Sequence, residues 1–242
     1  MPAGRRIALR AMATFGLVHG AWHGAWCWEN LVPELEKLGH RVATIELPSD
    51  DASASFSTYA EVIVSALAEE PGDLVLVGHS LAGLTIPIAA AKLPVRRAVF
   101  LCALIADPGR SFADQLESDP EMLMPGYDAG LSLDEQGRGS WSDFNEACKV
   151  LFGDCDETLA RSAFDRLRPQ ARTPYVEPCP LESLPDVDRS YVWCSDDHLV
   201  NPEWAPQAAR DRLGIEPVQL PGSHSPFLSR PAELARLLDQ EA

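Results

Sequence analysis

Along the chain, short continuous apolar runs alternate with segments whose apolar residues recur at helical spacing. The runs TFGLV (14–18), DLVLVG (73–78), VRRAVFLCAL (95–104) and SYVWC (190–194) read as buried strands. HRVATIEL (40–47) and PVQL (217–220) read as two further strands. Residues 29–39, 56–70, 81–93, 203–213 and 231–240 predict helices between and after them. The first of these stops at Gly39, and Pro87 inside the third is expected to kink it. Strands alternating with helices predict an α/β fold, a mostly parallel central sheet with right-handed crossovers and helices on both faces.

The alternation breaks after Ile105. From 106 to 189 the chain is rich in Pro, Asp and Gly, with only short helical pieces at 144–152 and 157–167. An interval of this kind between two sheet strands predicts a cap insertion over one end of the sheet, within a single domain spanning 1–242. No internal repeat or low-complexity tract interrupts the pattern.

At 242 residues the chain is long enough to bury one sizeable core. A formal charge of −16 argues against nucleic acid or an anionic membrane as partner, because phosphate binding draws on Lys and Arg. No apolar run is long enough to span a bilayer. The basic start, with Arg5, Arg6 and Arg10, leads straight into a strand rather than into a signal-peptide core, so a cytoplasmic location is expected. Translation from Met12, with 1–11 as a disordered extension, is a further expectation. The six Cys form no C-x-x-C pair and no zinc-like cluster with His, so free thiols are expected.

The strongest chemical signal is LVLVGHSLAGL (74–84), a strand meeting Gly78-His79-Ser80-Leu81-Ala82-Gly83 and then a helix. This is the context of a nucleophile elbow, where a tight turn lifts a serine Oγ above the sheet and only small neighbours fit. The usual fifth residue is Gly; here it is Ala82, with Gly83 next. The plain alternative is a strand–helix turn carrying a surface serine. A serine needs a base, and the base an orienting acid. Asp196 and Asp197 follow one strand and His224 follows the next, in the order Ser, Asp, His, and of the two acids Asp197 is preferred. His40 at a helix–strand junction reads as structural, His79 points away from Oγ, and His198 reads as a loop or pocket residue. In VHGAWHGAWCW (18–28), His19 and His23 are four apart as in H-E-x-x-H, but no Glu lies between them, so the segment reads as a shaped loop rather than a metal site.

The stretches LVHGAWHGAWCW, GHSLAG, YVWCSDDHLV and PGSHSPFLSRPAEL, in this order across nearly the whole chain, resemble the α/β-hydrolase superfamily, and within it the plant methylesterase and hydroxynitrile lyase group with its bacterial relatives. The resemblance implies an α/β-hydrolase fold and serine-esterase chemistry: Ser80 as nucleophile, His224 as base and acid, Asp197 as orienting carboxylate. It also implies an oxyanion hole from the backbone N–H groups of Ala21 and Leu81. Lyases of this group carry a Thr after the first-strand His and a Lys after the catalytic His; here those positions are Gly20 and Ser225, which favours ester hydrolysis.

No metal or organic cofactor is required, and the expected partner is a small or medium ester with an apolar part. Monomer and homodimer are both left open. Trp22, Trp141, Phe144 and Phe227 are the candidate pocket residues, while Met122, Met124 and Phe152 read as packing between cap and body. A thioesterase, lactonase, amidase or C–C hydrolase shares the same motifs, and so does a ligand-binding homologue that has lost turnover.

Overall fold

The computed structural model describes residues 12–242; the expectations about 1–11 turn on residues outside these. Six strands form the central sheet in the order β2-β1-β3-β4-β7-β8: β1 (Ala13–Val18), β2 (Arg41–Ile45), β3 (Asp73–His79), β4 (Val95–Leu101), β7 (Asp188–Cys194) and β8 (Val218–Leu220). Every neighbouring pair is parallel. Every residue of β1 and all but the first of β3 are buried, which is why these strands read as unbroken apolar runs. The edge strands β2 and β8 keep only their last residue buried.

The helices α1 (Val32–Lys37), α2 (Phe56–Leu67), α3 (Ile86–Ala90), α8 (Trp204–Ala208), α9 (Pro226–Ser229) and α10 (Pro231–Glu241) belong to the body. The β1-to-β2 crossover runs one way along the sheet and β3-to-β4 the other. Right-handed connections therefore put α1 and α3 on opposite faces. Accordingly α1 packs on α10, and α2 on α3. Ser55 caps α2, its Oγ accepting from the Thr58 N–H at 3.1 Å, and the buried Phe56, Tyr59, Ala60, Ile63 and Leu67 form its inner stripe.

The expected helix over 81–93 is divided. A 3-10 turn covers Ser80–Leu84 and α3 begins only at Ile86. Pro87 thus lies in the first turn of a helix, where its missing N–H costs nothing, and does not kink a longer one. The expected helix over 203–213 also changes character, from α8 to a wider turn over Ala209–Leu213 that ends at Gly214 with a left-handed φ of 68°.

Residues 102–187 lie between β4 and β7 and carry α4 (Phe112–Ser118), the hairpin β5 (Leu131–Leu133) and β6 (Gly139–Trp141), α5 (Phe144–Leu151), α6 (Glu157–Phe164) and α7 (Thr173–Val176). Their buried Phe112, Met122, Leu123, Trp141, Leu151 and Phe152 join the apolar core of the body.

Candidate active site

The strand order reverses between β1 and β3: the chain turns towards β2 from the first and towards β4 from the second. In an open α/β sheet the crevice beyond the carboxyl ends of two such strands is the natural ligand site. Val18 of β1 is in register with Gly78 of β3. The loop His19-Gly20-Ala21 therefore faces the turn His79-Ser80.

Ser80 has φ of 53°, a left-handed conformation that L residues avoid. The strain is held by close packing. A Cβ on Gly83 would lie 2.0 Å from the Leu104 carbonyl oxygen, so the position that tolerates no side chain is Gly83 while Ala82 is accommodated. The Ser80 carbonyl accepts from the Leu104 N–H at 3.1 Å, tying the turn to the segment after β4. From the other side, a Cβ on Gly20 would lie 2.8 Å from Ser80 Cβ and 2.9 Å from His79 Nδ1.

His224 follows β8 and Asp197 follows β7. His224 Nδ1 lies 2.8 Å from Asp197 Oδ2, and both side chains are buried, at 1% and 3% exposure. Asp197 Oδ1 accepts from the Leu199 and Val200 N–H groups at 2.8 and 3.0 Å. Three hydrogen bonds thus hold the carboxylate in one orientation. Asp196 is exposed and, among the described residues, accepts the hydroxyl of Ser195 at 3.0 Å and no other side-chain hydrogen bond.

The other nearby histidines have different tasks. His79 Nε2 lies 2.9 Å from the His224 carbonyl oxygen, joining the residue before Ser80 to the main chain of His224. Burial holds the His79 ring well below the ordinary imidazole range, so it stays neutral and donates. His19 Nδ1 lies 2.8 Å from the Gly20 carbonyl, and its Nε2 accepts from the Leu47 N–H at 3.0 Å, so neither ring nitrogen is spare for a metal. His23 Nδ1 donates to the Ala21 carbonyl at 2.8 Å and its ring stacks on Trp26. Burial lowers His19 to about 4 and His23 to about 3. His40 lies away from this cluster, between the Ala13 N–H and Asp239, and His198 is exposed.

The Ala21 N–H donates to no acceptor among the described residues. Trp22, next along, has φ of 63° and is fixed by its indole N–H to the Gly139 carbonyl at 3.1 Å. Leu81 is the second residue of the 3-10 turn, within the first turn where N–H groups lack internal partners. Ser80, Ala21, Leu81 and Trp22 line one cavity of about 460 Å³, roofed by residues of the cap.

Of the aromatic residues expected to line a pocket, Trp22 does so. Trp141 lies behind it, edge-on at 5.6 Å. Phe144 packs against Phe164 beneath the Arg161 guanidinium. Phe227 is buried against Trp28 and His79 at 4.7 and 4.8 Å. These three pack against neighbours and do not line this cavity, Trp141 and Phe227 buried and Phe144 half-buried. The cavity wall instead includes Leu104, Phe112, Leu116, Tyr127, Arg172 and Tyr175. One signal for this wall was legible: Ser111 and Asp114 form a capping box that starts α4 and so aims Phe112 and Leu116.

A profile of the alpha/beta hydrolase family matches residues 17–237. A pyrethroid hydrolase of Sphingobium wenxiniae is 28% identical over 239 residues, covering 92% of this chain and 85% of that protein. Methylesterase 1 of Arabidopsis thaliana is 41% identical over a shorter stretch of 109 residues, 40% of this chain and 41% of that one. Among solved structures, polyneuridine aldehyde esterase superposes with a TM-score of 0.83 at 24% identity, covering 96% of this chain and all of that one.

Proposed function

The chain belongs to the alpha/beta hydrolase family, and from that premise we propose that it hydrolyses small or medium carboxylic esters through an acyl-enzyme on Ser80. The observation that carries this reading is the buried contact between His224 Nδ1 and Asp197 Oδ2 at 2.8 Å. With Nδ1–H donating to the carboxylate, Nε2 keeps its lone pair and acts as base. The His79 contact holds the His224 main chain against the elbow that bears Ser80. Among the histidines clustered here, His224 has a carboxylate at hydrogen-bond distance from its ring, while His19, His23 and His79 are kept neutral by burial.

Nε2 takes the hydroxyl proton as Ser80 Oγ attacks the ester carbonyl. The oxygen becomes an oxyanion held by the N–H groups of Ala21 and Leu81, donors of a kind worth about 2.7–4 kcal/mol each in the transition state. The imidazolium returns its proton to the departing alcohol. A water then gives its proton to Nε2 and attacks the acyl carbonyl, and the imidazolium passes that proton to Ser80 Oγ as its bond to the acyl carbon breaks, releasing the acid. The apolar lining of the cavity supports an ester with an apolar part. Ester-hydrolase names among the relatives support the same chemistry, and Gly20 and Ser225 favour it over cyanohydrin cleavage.

The test is hydrolysis of methyl and p-nitrophenyl esters of graded acyl length by wild type and Ser80→Ala. Turnover by wild type that is abolished in a folded Ser80→Ala supports the reading. Equal turnover by both overturns it.

A further inference from the structure

The cavity beside Ser80 is mostly apolar, and three of the polar side chains that line it are unused by the protein. Tyr127 and Tyr175 are rings of the wall whose hydroxyls make no hydrogen bond among the described residues. Arg172, exposed where it meets the cavity, makes no ion pair or side-chain hydrogen bond among the described residues.

Its neighbours behave differently. Arg166 is paired with Glu29, and Arg168 with Glu46 and Asp50. In a chain with 36 acidic residues against 20 basic ones, a guanidinium left without a carboxylate at a cavity wall stands out. Arg172 immediately precedes α7, and α7 packs on α4, with Tyr175 against Phe112 at 5.6 Å. The cation and the phenol, joined by the Tyr175 N–H donating to the Arg172 carbonyl at 2.9 Å, therefore share one patch packed against α4. Burial raises the pKa of both tyrosines, so they remain protonated donors.

A guanidinium can only donate and a protonated phenol can donate, so the partner that satisfies all three together is an acceptor, best of all a carboxylate. Resting on the ester-hydrolase reading, we propose that the preferred substrates are hemiesters: esters whose acyl chain carries a second, free carboxylate that docks on Arg172, Tyr127 and Tyr175 while the ester carbonyl meets Ser80. The strongly negative protein repels anions at long range, so selectivity for such a substrate is expected to rest on this local cation and to weaken with salt.

The test is kcat/KM for monomethyl esters of dicarboxylic acids of graded length, each against the neutral methyl ester of matching length. Wild type is expected to favour the hemiester at one length. Arg172→Met is expected to lower the ratio of hemiester to neutral ester at least tenfold at that length, chiefly through KM. Arg172→Lys is expected to restore part of it, and Tyr175→Phe to lower it about threefold. An unchanged ratio in Arg172→Met, or a wild type that favours neutral esters at every length, overturns the proposal and leaves the esterase reading standing. A wild type that cleaves none of these esters overturns both.

Discussion

Gly20 and Ser80 come together so closely that a single carbon added to Gly20 would lie 2.8 Å from Ser80 Cβ. The two loops after β1 and β3 thus fix each other, and Ala21 N–H takes its position from that contact. Gly20→Ala is expected to lower kcat about 10²-fold or more, the scale of losing one oxyanion donor, with a smaller effect on KM. Steady-state kinetics on a p-nitrophenyl ester, beside a thermal melt confirming the fold, checks this. A kcat within twofold of wild type contradicts the role given to the loop.

Asp197 carries three hydrogen bonds and is buried, while Asp196 is exposed beside it. Asp197→Asn is expected to lower kcat roughly 10³–10⁴-fold, because an amide presented to Nδ1 favours the wrong imidazole tautomer. Asp196→Asn is expected to stay within about twofold of wild type, as surface substitutions usually do. The reverse order of effects would exchange the two assignments.

Asp154, between β4 and β7, reaches the loop that carries His224: it accepts from the Ser223 hydroxyl and from Arg230 Nε, the latter at 3.1 Å. It touches neither His224 nor the cavity and acts as a positioning residue. Asp154→Ala is expected to lower kcat roughly 10- to 10²-fold with little change in KM, the cost of loosening a reacting group by a fraction of an ångström. The pH profile of kcat is expected to shift with it. A change in melting temperature with kcat and the profile unmoved reduces Asp154 to a structural tie.

Acid is expected to destabilise the fold before the carboxylates titrate. His19 and His23 take up protons near pH 4 and 3 when folded, against 6.5 for a free side chain. Between those values the unfolded chain binds more protons, so stability is full above pH 6.5 and falls as the pH drops from there toward 4. Each such histidine removes about 1.4 kcal/mol per pH unit in that window. Urea midpoints at pH 7.5, 6 and 5 are expected to decline in that order; a flat or rising series contradicts the buried neutral assignments.

Much of this architecture is visible in the pattern of residues. β1 and β3 are buried on both faces and read as unbroken apolar runs, and Gly78-His79-Ser80 between strand and turn marked the elbow. The chain order of Ser80, Asp197 and His224 followed from strands that each end in a polar loop. Helical spacing continues through 81–93 and so suggests a kink at Pro87, whereas the tight packing of Gly83 on Leu104 accompanies a first turn wound as a 3-10 segment. The pocket wall was the least legible part. Its members come from α4, the hairpin and α7, elements of three to seven residues too short to show a period, and from the loops beside them. Trp141, Phe144 and Phe227 attracted attention by size, yet size drives a side chain into any core, not only towards a ligand.

The most direct measurement is the site and extent of labelling by a fluorophosphonate, read by peptide mass spectrometry. A phosphonyl adduct forms only where a hydroxyl is activated as a nucleophile. One equivalent on Ser80, absent from Ser80→Ala and strongly slowed in Asp197→Asn, is the result expected. Ester turnover by a protein that labels at another residue, or survives in Ser80→Ala, would contradict the account.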